Sequence, residues 1–102
     1  MKSLTRNRIE HTNMNPASVE KFFAAIAKSY FPDAETNAYD DTDRVSVGAL
    51  LDTSNPDHEK LSAFKKELLE SRFVNIGTTT SEKHGCMIVM ADIMKGGMED
   101  VD

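Results

Sequence analysis

Carboxylates are the most concentrated chemistry in this chain. Asp33, Glu35, Asp40, Asp41 and Asp43 fall within the stretch DAETNAYDDTDR, from Asp33 to Arg44. Such a cluster either ligates a hard cation or presents negative potential to a basic partner. Spacing decides between the two. A twelve-residue calcium loop needs oxygen ligands at its first, third and fifth places, glycine at the sixth and a bidentate glutamate at the twelfth. Asp33, Glu35 and Asn37 fill the first three, but Ala38 stands at the sixth place and Arg44 at the twelfth. The two most constrained positions fail, so the stretch reads as a solvated acidic loop able to face a protein partner with a basic surface.

The remaining candidates are sparser. Asp52 closes a hydrophobic run just before a loop and a helix, a place where strand ends converge and function collects. His84 and Cys86 lie two apart, a possible half of a zinc site, but no second pair at ligand spacing exists. His58 is followed by Glu59 without the second histidine of a zinc-protease helix, and His11 stands alone. Cys86 opens an apolar run, which suits a buried structural cysteine better than a thiolate nucleophile. There is no GxSxG elbow, and Gly96-Gly97 is not followed by a phosphate-loop lysine. This inventory implies no cofactor, no metal and no catalytic set, and an enzyme is the less favoured reading.

The elements that must position these groups follow from periodicity. Val19, Phe22, Phe23, Ile26 and Tyr30 recur at helical spacing, predicting a helix from about Pro16 to Tyr30. Asn15 caps it, Pro16 takes the first helical position and Phe31-Pro32 ends it. Leu61, Phe64, Leu68 and Leu69 predict a second helix from about Pro56 to Ser71, with Asn55 as its cap. Three strands are expected: Arg44 to Leu51, Phe73 to Thr80 and Cys86 to Met94, the last being the most apolar and hence central. Ser81 to Gly85 has the length and the glycine for a hairpin between the last two. Weaker strands are expected near Arg8 to Met14 and within Ala34 to Tyr39, where the acids favour a loop. On the last strand, alternation puts Cys86, Met90 and Met94 on one face and Met87 on the other.

Two successive β-α-β units would make an α+β ferredoxin-like sandwich, with two helices on one face of a mostly antiparallel sheet of four to five strands. The expected core holds Phe22, Ile26, Phe64, Leu68, Val47, Ile76 and Val89. Residues 1–94 would form the single domain and 95–102 a flexible acidic tail. The segment VSVGALLD…FKKELLESRFVNIGTTT resembles the opening unit of the Cas2-like and VapD-like nucleases over about half the chain. That resemblance implies a metal-assisted nuclease, with Asp52 helping to hold the ion. The family continues with a further β-α-β unit, and here only one strand follows.

Bulk properties narrow the partners. The chain has 102 residues and a net charge of -5, enough for one domain, and the charge repels phosphate and anionic lipid. Strands without aromatics, apart from Phe73 at an edge, also disfavour RNA stacking. One cysteine precludes an internal disulfide, no run approaches a membrane span, and the first residues lack a signal-peptide core. The expectation is a cytoplasmic, non-enzymatic protein-binding or regulatory domain, inhibitor or antitoxin-like. It would act through the acidic loop, the open sheet face or both, with a homodimer possible. The alternative is the small nuclease centred on Asp52.

Overall fold

A computed structural model describes residues 15–95, in the order α1 (Pro16–Tyr30), β1 (Glu35–Asp40), β2 (Arg44–Leu51), α2 (His58–Glu70), β3 (Val74–Ser81) and β4 (Cys86–Met94). The strand expected near Arg8 to Met14 lies outside the described residues, as does the tail beyond Lys95. Lys95 itself belongs to the domain: its backbone N–H donates to the Asp43 carbonyl at 2.9 Å.

Local chemistry explains the helix ends. The Asn15 side chain accepts from the Ser18 amide at 2.8 Å, and Pro16 follows where no N–H is needed. Phe31, which precedes Pro32, leaves helical geometry at φ −134°. The second helix starts later than its Asn-Pro pair suggests. Asp57, not Asn55, is its cap, accepting from the Glu59 amide at 3.0 Å. The Asn55 amide donates instead to the Thr53 hydroxyl, so Asn55-Pro56 belongs to the preceding turn.

The four strands pair antiparallel throughout, in the order β1-β2-β4-β3. This is not the order expected of two successive β-α-β units. The last strand of the chain, β4, takes the central place between β2 and β3, so β2 and β3 run parallel with β4 between them. The stretch within Ala34 to Tyr39 is a strand rather than a loop. As an edge strand it leaves Glu35 and Asp40 exposed to water, so its acids cost little there.

Both helices cover one face of the sheet. Val45, Val47, Ala49 and Leu51 of β2 alternate into the core, as do Met87, Val89, Ala91 and Ile93 of β4. Phe23 ties the layers together, with its ring centroid 6.1 Å from Phe64 and 5.6 Å, edge-on, from Phe73. Ile26, Phe64, Leu68, Val47 and Val89 are buried as expected, whereas Phe22 and Ile76 are half-buried at the margin. Gly85 adopts φ +65° in the β3–β4 turn, a conformation that favours glycine.

Candidate functional site

The face opposite the helices is uncovered among the described residues, and the registers fix what stands on it. One row across the sheet runs Glu35, Leu50, Ile88, Thr79. The next runs Asn37, Gly48, Met90, Gly77. The third runs Tyr39, Ser46, Asp92. Met90 thus has a glycine on each neighbouring strand and stands clear, 41% exposed. Leu50 and Ile88 are 39% and 38% exposed and Tyr39 is 65% exposed. Around Gly48 these rows enclose a groove of about 460 Å³. A Cβ on Gly48 would meet Asn37 Oδ1 at 3.3 Å, so the glycine keeps the floor low.

The third row is a fixed polar network. Asp92 Oδ1 accepts from the Ser46 hydroxyl at 2.7 Å, and Oδ2 accepts from Asn75 Nδ2 at 2.9 Å and Arg44 Nη1 at 3.2 Å. Burial of Asp92 works against its charge, but these donors outweigh it and hold the carboxyl below the usual carboxylate range. Asn75 reaches its place through a left-handed backbone, φ +56°, which asparagine tolerates better than most residues. It lies at the register shift of β3 between Val74 and Gly77.

The five acids expected to act as one loop are divided. Asp33 precedes β1, Glu35 and Asp40 stand at its two ends, and Asp41 and Asp43 lie in the β1–β2 turn. Glu35 and Asp40 are separated by about 17 Å of extended chain. The turn's charge is largely answered from within. The Lys95 ammonium donates to Asp40 at 2.5 Å and to the Asp41 carbonyl at 2.8 Å. Asp43 takes two hydrogen bonds from the Arg44 guanidinium, at 3.0 and 3.2 Å, which lower its carboxyl and raise Arg44.

At the opposite end of the sheet, Asp33, Glu35 and Asp52 enter no ion pair among the described residues. With Leu50, Leu51 and Cys86 they line a cavity of about 280 Å³. Asp33 and Asp52 also border a neighbouring hollow of about 250 Å³ that includes Lys60. Asp52 is therefore brought to two other acids, a grouping that sequence distance concealed. Among the described residues, however, no three His, Cys, Asp or Glu side chains stand close enough to hold one metal ion. His84 is exposed in the β3–β4 turn, His58 is exposed at the start of α2, and Cys86 is half-buried.

Tyr39, Gly48, Leu50, Asn75, Ile88 and Asp92 were not singled out from the sequence as surface residues. Alternation along β2 and β4 contained the signal, but their near-continuous apolar runs did not show which residues face the helices and which the open side. Tyr39 also puts one aromatic on the open face, where none was expected. No described helix is long and apolar enough to cross a membrane. Compared with family models, with curated proteins and with solved structures, the chain matches none.

Proposed function

We propose that this chain is a non-enzymatic protein-binding domain, regulatory in the manner of an inhibitor or antitoxin-like factor. Its open sheet face would receive an extended partner segment carrying basic and apolar side chains. The row from Glu35 through Leu50 and Ile88 carries this reading. It sets exposed apolar groups beside the sheet end where Asp33, Glu35 and Asp52 have no ion-pair partner among the described residues. Apolar side chains of the partner would lie over Leu50, Ile88 and Met90, and a lysine or arginine would reach the carboxylates. The interaction would be steered by charge and weakened by salt.

The test is a methyl-detected NMR titration with two synthetic peptides, one alternating lysine and valine, the other glutamate and valine. The lysine peptide should move the Leu50, Ile88 and Met90 methyls, and salt should diminish the shifts. Equal response to both peptides, or shifts confined to the helix face, would refute the proposal. A second reading, the nuclease centred on Asp52, draws on the cavity shared by Asp33, Glu35 and Asp52. Cleavage of labelled RNA or DNA with magnesium or manganese, abolished by chelator and by Asp52→Asn, would favour it over the binding role.

A further inference from the structure

β3 is the outer strand of the order β1-β2-β4-β3, and its sequence, VNIGTTTS, carries neither charge nor proline. Among the described residues nothing pairs with its outer side. An edge of that kind leaves backbone donors and acceptors open to a further strand. Its regular half is Gly77 to Ser81, because the pairing with β4 shifts between Val74 and Gly77. Thr78 and Thr80 pair with Val89 and Met87, whose side chains are buried, so both threonines point to the helix side. Both are nevertheless exposed. The helix layer therefore stops short of this edge and leaves a ledge beside it.

The flank of α2 above that ledge is basic. α1 packs against β1 and β2, and α2 against α1 and β3. The Tyr30 hydroxyl donates to Glu67 Oε1 at 2.7 Å, so the Glu67 side of α2 faces α1, and Leu68 points into the core. Successive helical residues turn by about 100°. The side that looks out past β3 therefore carries His58, Ser62, Lys65 and Leu69, with Lys66 next to them. No carboxylate of α2 lies on that side. Lys65 and Lys66 enter no ion pair among the described residues. The flank is thus locally positive on a chain whose net charge is -5.

We propose that the β3 edge pairs with an extended acidic segment of a partner protein, one that alternates carboxylates with apolar residues. On an added strand, the residues opposite Thr78 and Thr80 point to the helix side, where carboxylates would meet the Lys65 and Lys66 flank. Their neighbours fall on the other face, level with Gly77 and Thr79. A Cβ at Gly77 would meet no heavy atom within 4 Å, so apolar side chains have room there. Charge decides the occupant. A second copy paired antiparallel through β3 would keep both helix layers on one side and set two basic α2 flanks against each other, whereas an acidic strand neutralises one. This inference does not rest on the open-face reading, since it uses backbone pairing at β3 and a segment of the opposite charge.

The test uses the full chain and two synthetic peptides, one alternating glutamate and valine, the other lysine and valine. With the glutamate peptide, the outward-pointing amides of Gly77 to Ser81 should exchange more slowly with deuterated solvent, and the Thr78 and Thr80 methyls should shift. The lysine peptide should leave both unchanged. Lys65→Glu with Lys66→Glu should weaken binding of the glutamate peptide about tenfold. The same variant should let the lysine peptide slow those amides, which separates a change of charge from a damaged fold. Leu50 and Ile88 methyl shifts with the lysine peptide report the open face separately, so either reading can fail alone. β3 amide exchange indifferent to the glutamate peptide, or slowed equally by both peptides, would overturn the proposal. So would protection of β3 that grows with protein concentration in the absence of peptide, which would assign the edge to a second copy.

Discussion

Asp92 offers the sharpest test of how the open face is held. Its side chain is 16% exposed and accepts from Ser46, Asn75 and Arg44. Asp92→Asn keeps the shape. The new amide oxygen can face Arg44 and Asn75, and the Ser46 hydroxyl can rotate to accept from the amide nitrogen. What is lost is the charge in three hydrogen bonds, and the Arg44 pair is partly screened by water. The expected cost is about 0.5–1.5 kcal/mol. Asp92→Ala removes every acceptor and should cost about 2–3 kcal/mol, or roughly 10–20 °C in Tm for a domain of this size. The pH dependence separates charge from shape. The folded carboxyl is depressed below its unfolded value, so its stabilisation is fully present above the unfolded pKa, about 3.9. It is lost as pH falls through the lower folded value. Urea unfolding followed by circular dichroism should therefore show the gap between the native chain and Asp92→Asn closing as the solution is acidified. A gap of the same size at neutral and strongly acidic pH would show that the ionised carboxylate is not what the network stabilises.

Other expectations follow from the same geometry. Phe64→Ala removes a fully buried ring that touches Phe23, Tyr30 and Phe31, and should cost about 3–5 kcal/mol by thermal or urea unfolding. Replacing Asp40, Asp41 and Asp43 together by asparagine should lower Tm slightly, more at low salt than at high. Like-charge repulsion within the cluster alone would leave Tm unchanged or slightly raised on neutralisation, but Lys95 and Arg44 already answer these acids. Gly48→Leu should fill the groove beside Met90 and abolish the lysine–valine peptide shifts while far-UV circular dichroism stays native.

The parts of the fold governed by short-range rules were legible in the sequence. The Asn15-Pro16 start and Phe31-Pro32 stop bound α1 because capping and proline sterics act within one turn. The alternation from Val45 and the apolar run from Cys86 place β2 and β4 at their observed limits. Sheet order was not legible, because pairing partners are chosen by how loops close in space. Nothing local to β4 distinguishes a strand returning to the centre from one added at an edge. The same limit applied to the site. Asp33, Glu35 and Asp52 meet only because β1 and β2 pair with Glu35 opposite Leu50. The division of the acidic stretch depends on Lys95, 55 residues away from Asp40.

The placement of exposed apolar residues also bears on function. Leu50, Ile88 and Met90 stand on β2 and β4, the two inner strands. Their backbone groups are already paired on both sides, so these side chains can receive a partner without offering a template for strand growth. The liability lies at the edges instead. On β1 it is blunted by Glu35 and Asp40, which antiparallel self-pairing would bring into opposition as like charges. On β3 only the irregularity between Val74 and Gly77 interrupts an uncharged edge, leaving Gly77 to Ser81 regular. A domain that displays apolar groups for binding must keep that remaining edge from pairing indiscriminately.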